Sequence, residues 1–263
     1  MAYYHTEVRD YYSDGSLSGK FYDAITHFDP SVSGDIDYYA RHAPTHGRVL
    51  EFGSGSGRIS KGLAAQGLEV LGIERSAQMF NFANRSVSPD LQDRLNFLHA
   101  DARTVQLPFK YHLAIAPFYL FNHLTTKRDR ASLLSNMAKH LLPGGKAILH
   151  TLPVGRVTDP NKVGPQSGMK INFSDLKERL EVTWIRRTIN RADRLMNQDV
   201  EYEHFDENDG LIERSVERFS MTWFSDSAIR TMASKAGFSL QVIDTSFHQK
   251  PGAERIFVLA LKE

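Results

Sequence analysis

Residues 49–60 read V-L-E-F-G-S-G-S-G-R-I-S: an apolar run ends in Glu51, passes glycines at Gly53, Gly55 and Gly57, and enters a helical pattern. Glycine tolerates positive φ and has no Cβ, so a ligand can approach such a turn at the backbone. A strand that runs through it into a helix N-terminus forms a nucleotide or cofactor cradle. A dinucleotide fingerprint, G-x-G-x-x-G, would need a glycine where this chain has Arg58, which counts against a nicotinamide oxidoreductase. The next apolar run, 68–73, ends at Glu74 and Arg75. A carboxylate at the tip of a second strand can accept two hydrogen bonds from ribose hydroxyls. A third run, 95–100, ends at Asp101 and Ala102, and a fourth, 111–118, carries Pro117 and Phe118 and leads to His123. Imidazole titrates near neutrality, so His123 is a candidate to take a proton from a hydroxyl or ammonium nucleophile. His150, at the end of a fifth run, is the second candidate, against a buried structural role.

The elements that must position these groups follow from pattern. Residues 47–152 alternate short apolar runs with helical segments, as a parallel doubly wound sheet requires, and such a sheet binds ligands outside the carboxyl ends of its strands. L-L-P-G-G-K-A-I-L-H (141–150) predicts a helix end, a Pro-Gly-Gly turn and a strand. Residues 1–46 hold Tyr3, Tyr4, Tyr11, Tyr12, Phe21, Tyr22, Phe28, Tyr38 and Tyr39, and are expected to form a helical, aromatic cap. From 153 to 224 a Gly/Pro-rich loop (154–168) precedes three runs of alternating polarity, joined by N-R-A-D and D-E-N-D-G, which predict three antiparallel strands with one wet face. They carry Trp184, Arg186, Arg187, Tyr202, Phe205 and Trp223. Aromatics there suit a flat or apolar substrate and cation–π contact with an amine, or else form the inserted sheet's own core. Arg186 and Arg187 are candidate anchors for a substrate carboxylate. Residues 225–263 add a helix between a Ser225 N-cap and a Gly237 C-cap, then strands near 239–245 and 254–261.

Composition narrows the classes. At 263 residues there is room for one large α/β domain with a modest insertion, and the formal net charge of +1 gives no electrostatic case for nucleic acid or an anionic membrane. The absence of cysteine excludes disulfides, thiolate nucleophiles and cysteine-based zinc sites. The polar start is no secretory signal, and no apolar run nears the roughly 18 residues of a membrane span. A cytoplasmic protein is therefore expected. No cluster of acids follows the fourth or fifth run, so no metal is expected either.

The pattern E-x-G-x-G-x-G, with acids at Glu74 and Asp101 in order, resembles class I S-adenosylmethionine (SAM)-dependent methyltransferases of the small-molecule type. F-Y-D-A-I, F-N-H-L and the insertion are similar to the glycine N-methyltransferase-like and sugar-amine N,N-dimethyltransferase-like groups. The resemblance implies an α/β fold: a Rossmann-like doubly wound seven-stranded sheet whose last strand is antiparallel, with an inserted antiparallel lid sheet. It implies SAM as cofactor and S-adenosylhomocysteine (SAH) as product. Glu51 then neighbours the methionine amino group, and Gly53, Gly55 and Gly57 form the turn. Arg58 either reaches the cofactor carboxylate or lies on a solvated helix face. Glu74 and Arg75 fall at the ribose, Asp101 and Ala102 at adenine, and the backbone of Pro117 and Phe118 at the methionine part. Tyr22 closes over the cofactor and joins His123 as a catalytic candidate, while Trp184, Arg186, Tyr202 and Trp223 face the substrate.

Methyl transfer to a nitrogen or oxygen of a small molecule is the expected activity, with nitrogen preferred and a biosynthetic tailoring role. Two alternatives stay open: a non-catalytic SAM-binding regulator or partner subunit, and a protein or RNA methyltransferase. A-P-F-Y in place of N/D-P-P-Y/F counts against a nucleic-acid amino-methyltransferase. The reading leaves room for a homodimer.

Overall fold

The computed structural model describes residues 7–27, 29–158, 166–173, 177–248 and 252–262. Tyr3, Tyr4, Phe28 and the 159–165 part of the Gly/Pro-rich loop lie outside them. In chain order the strands are β1 (Val8–Asp10), β2 (Arg48–Phe52), β3 (Glu69–Glu74), β4 (Leu95–His99), β5 (Tyr111–Ala116) and β6 (Leu141–Thr151). There follow β7 (Gln166–Phe173), β8 (Glu178–Asn190), β9 (Leu195–Phe205), β10 (Leu211–Thr222), β11 (Phe238–Asp244) and β12 (Arg255–Leu261). The helices are α1 (Leu17–Lys20), α2 (Tyr22–His27), α3 (Asp35–Ala40), α4 (Arg58–Ala65), α5 (Ala77–Arg85), α6 (Leu120–His123), α7 (Lys127–Lys139), α8 (Val154–Thr158) and α9 (Asp226–Lys235). The chain divides into two compact units, Met1–Phe28 with Gly155–Met221, and Asp29–Val154 with Thr222–Glu263.

The larger unit holds a seven-stranded sheet in the order β11-β12-β6-β5-β2-β3-β4. Strands β2 to β6 pair in parallel, and β12 is antiparallel to both β6 and β11, as expected for the last strand. Strands covered on both faces read as continuous apolar runs, and β5 is buried at five of its six residues. The pleat divides them: Val49, Leu113 and Val258 join one apolar cluster with Ile59 and Leu63, while Leu50, Ala114 and Phe257 join another with Leu134 and Ile229. Side-chain caps start three helices, with Ser76 accepting from Met79 N, Thr126 from Asp129 N and Ser225 from Ala228 N. The expected Pro-Gly-Gly turn is absorbed into β6: Tyr111 pairs with Leu141 but Leu113 with Lys146, and the extra residues bulge at Gly144, φ 73°.

The smaller unit holds a second sheet, ordered β1-β10-β9-β8-β7. β8 is antiparallel to both β7 and β9, and β1 lies parallel on β10. Three strands were expected from 153–224, and two more take part. β1 spans three residues, too few to show a period, and β7 contains G-M-K-I-N-F at the end of a Gly/Pro-rich stretch; distant partners decide both. The sheet's core is Leu17, Ile171, Leu180, Val182, Val200 and Tyr202. Glu217, wholly buried, accepts Leu17 N and Ser18 N at the start of α1. Residues 1–46 are split: α1 and α2 belong here and α3 to the larger unit.

Candidate active site

The glycine turn closes the carboxyl end of β2. Gly53, Gly55 and Gly57 have φ of 69°, 57° and 80°. A Cβ on Gly53 would lie 2.8 Å from Leu120 Cδ1, and one on Gly57 2.4 Å from Phe97 Cζ, so backbone sterics and packing both require glycine. Gly53 N and Ser54 N donate to the Ile73 carbonyl at 2.8 and 3.0 Å, tying the turn to the end of β3. Glu74, the next residue, completes the tie: its Oε2 accepts from Gly55 N at 2.9 Å and its Oε1 from Ser76 N at 2.6 Å. Each oxygen retains a lone pair for a further donor.

Beneath the turn lies a buried polar group. Glu51 is 1% exposed and bonds to Ser60 Oγ; burial pushes its carboxyl up to about 8, although Ser60 and Arg58 pull it down. Arg58 opens α4 and forks onto Asp35 of α3, with Nη1 donating to Oδ1 at 2.9 Å and Nη2 to Oδ2. It is thus held by a buried acid that sequence reasoning missed, because nothing local pairs residues so far apart. The Ser54 hydroxyl in the turn and the Tyr39 hydroxyl are buried with no hydrogen-bond partner among the described residues. Bare polar atoms beside an open-backbone turn fit a bound polar group.

At the end of β4, Asp101 is gripped by Arg103, which donates from its backbone N and its Nε at 2.9 Å each. The same guanidinium reaches Asp129 at 2.8 Å and holds the Asp101 carboxyl below its usual range. Arg103 was also missed. The Ala102 carbonyl accepts from Asn136 Nδ2, and the Arg75 carbonyl bonds to His99 Nε2.

Past β5 the backbone is strained: Phe118 and Tyr119 have φ of 41° and 64°. Pro117 is buried, and the strained pair leads into α6, whose last residue is the half-buried His123. Asn122, fully buried, anchors α6 by donating to the Thr222 carbonyl at 2.7 Å and accepting from Leu152 N at 2.9 Å. His150 is wholly buried and bonds to Glu254. Thus Glu51, the glycines, Arg58, Glu74, Arg75, Asp101, Ala102, Pro117, Phe118 and His123 all lie at or beside strand ends on the carboxyl edge of one sheet.

The remaining candidates lie on other elements. Tyr22 starts α2 in the smaller unit, with its ring edge-on to Tyr12 at 5.5 Å. Tyr202 is 2% exposed in that unit's core, burial pushes its hydroxyl up, and Trp184 packs against the same cluster. Arg186 and Arg218 both pair with Asp199, Arg187 donates to Gln198, and Phe205 lies under the Arg179 guanidinium. Trp223 is buried in the larger unit. Among the described residues no three His, Asp or Glu side chains converge as a metal site, and no helix is long and apolar enough to cross a membrane.

A seven-stranded sheet of this order, with a glycine turn after β2 and an acid at the tip of the neighbouring β3, defines the class I methyltransferase fold. Residues 49–145 match a family model described as a methyltransferase domain. The putative methyltransferase YqeM of Bacillus subtilis is 27% identical over 224 residues, 83% of this chain and 85% of its own. The CcbJ methyltransferase of Streptomyces caelestis superposes with a TM-score of 0.77 at 17% identity, covering 97% of this chain and 99% of that one. The sugar N-methyltransferase KedS8 of Streptoalloteichus superposes with a TM-score of 0.75 at 16% identity, covering 100% and 99%. Residues 49–145 thus carry a methyltransferase domain, and the chain has the fold of class I SAM-dependent methyltransferases.

Proposed function

We propose that this enzyme transfers the methyl group of SAM to a nitrogen of a small-molecule acceptor in a biosynthetic tailoring step, leaving SAH. The observation that carries the reading is the Glu74 carboxylate, bonded to Gly55 N with lone pairs to spare for a ribose diol. Around it, Glu51 takes the methionine ammonium, Asp101 and Ala102 the adenine edge, Arg75 the ribose side, and the backbone of Pro117 and Phe118 the methionine chain. The orphaned Ser54 hydroxyl and the Cβ-free turn support the fit. Support for nitrogen comes from the fold shared with KedS8, a sugar N-methyltransferase.

SAM, when bound, supplies a methyl group already activated by a sulfonium. The protein therefore has to align the acceptor and strip its water. Few side chains need to react. His123 takes the proton that an ammonium or hydroxyl acceptor must lose.

The test is SAH formation from SAM with matched pairs of amino sugars and their hydroxyl counterparts. Turnover on amines alone is expected. Turnover on hydroxyls alone would move the reaction to oxygen, and SAM binding with no SAH from either set would contradict the reading.

A further inference from the structure

One buried carboxylate at the carboxyl edge has no part in the site described above. Glu254 precedes β12 and is 7% exposed. Its Oε2 accepts two hydrogen bonds, from the Tyr119 hydroxyl and from His150 Nε2, each at 2.9 Å. The Tyr119 and His150 rings stand 4.5 Å apart between centroids, and Phe247 closes on the imidazole at 4.9 Å. Strand register creates the meeting: β12 runs antiparallel to β6 with Ile256 opposite His150, which brings the start of β12 to the edge where β5 and β6 end.

The phenol that this cluster holds belongs to a residue under strain. Tyr119 has φ 64° and follows Phe118 at 41°, a conformation that bulky residues leave unless their surroundings enforce it. The Tyr119 carbonyl also starts α6, accepting from Asn122 N at 2.9 Å and from His123 N at 3.4 Å. Pinning the Tyr119 ring therefore fixes two things at once: the direction of the Phe118 backbone and the turn that carries His123.

We propose that Glu254 and His150 are positioning residues for methyl transfer, acting through the Tyr119 hydroxyl to keep the Phe118–Tyr119 segment left-handed. Neither touches the reacting atoms. His150 is thus a support for Glu254 and not the proton acceptor. The role rests on the reading that the Phe118 backbone faces the cofactor.

The experiment is SAH titration calorimetry on the wild type, Tyr119→Phe, Glu254→Leu, Glu254→Gln and the Tyr119→Phe/Glu254→Leu double variant. All are measured well below their melting temperatures. Tyr119→Phe removes one oxygen and is expected to weaken SAH about fivefold to tenfold. Glu254→Leu should do at least as much, while Glu254→Gln keeps a carbonyl acceptor and should recover most of the loss. The double variant should be no weaker than Glu254→Leu alone, because both changes break one chain of contacts. A lowered melting point with unchanged SAH affinity in Tyr119→Phe would overturn the positioning role, and that variant decides if Glu254→Leu does not fold. A wild type that bound no SAH would instead overturn the cofactor reading on which the role rests.

Discussion

The Glu74 side chain accepts a hydrogen bond from the backbone N–H of Gly55, 19 residues earlier, at 2.9 Å. The acid at the tip of β3 thereby shapes the turn at the tip of β2 before any ligand arrives, which lowers the cost of ordering the cradle on binding. Glu74→Ala should leave the fold intact and weaken SAM by about 1.5–3 kcal/mol. Calorimetry showing unchanged affinity would place the ribose elsewhere.

Glu51 gives a pH signature. Its carboxyl rises from 4.5 to about 8 because it is buried. The folded protein therefore holds this proton more tightly than the unfolded chain does. That contribution to stability is complete below about pH 4.5 and is lost as pH rises through about 8. Melting of the ligand-free protein should show this decline, and Glu51→Gln should flatten it. Binding reverses the preference: an ammonium beside Glu51 favours the carboxylate, so SAM uptake near pH 7 should release a proton. Calorimetry in buffers of different ionisation enthalpy measures the release, and none at that pH would separate Glu51 from the methionine ammonium.

Arg103 couples the adenine candidate to α7. It holds Asp101 and Asp129 together, each about three-quarters buried at the side chain. Partial exposure screens these pairs, so Arg103→Met should cost only about 1 kcal/mol in SAM affinity. Asp101→Asn should cost more, and the double variant no more than Asp101→Asn by itself. Additive losses would mean that Arg103 acts independently of Asp101.

Gly57 tests the turn's sterics. Alanine there must adopt φ 80° and place its Cβ 2.4 Å from Phe97 Cζ. Together these should destabilise the protein by about 2–4 kcal/mol in denaturant unfolding. Adding Phe97→Leu should recover the contact part and leave the backbone part. Full stability in Gly57→Ala alone would mean that the turn is not built as described.

What was legible in the sequence was local. The apolar runs, their order and the residues at their tips follow from period and turn chemistry, and they place Glu51, Glu74 and Asp101 at the carboxyl edge where the structure has them. Partners joined only by folding were not legible. Asp35 meets Arg58 and Glu254 meets Tyr119 across sequence gaps of 23 and 135 residues, set by helix packing and by the β6–β12 register. The extra strands of the smaller sheet were hidden for a related reason: three residues such as Val8–Asp10 carry no period, and pairing with β10 makes them a strand. Tyr202 was legible as an aromatic on a strand, but its burial within that sheet's own core was decided by the neighbouring strands.

The most direct test supplies SAM with an isotopically labelled methyl group to the purified enzyme and a host-cell extract, then separates small molecules, protein and nucleic acid for mass spectrometry. Label in a small metabolite, carried on nitrogen, is the predicted result and gives the acceptor's mass. Label confined to protein or nucleic acid would contradict the account.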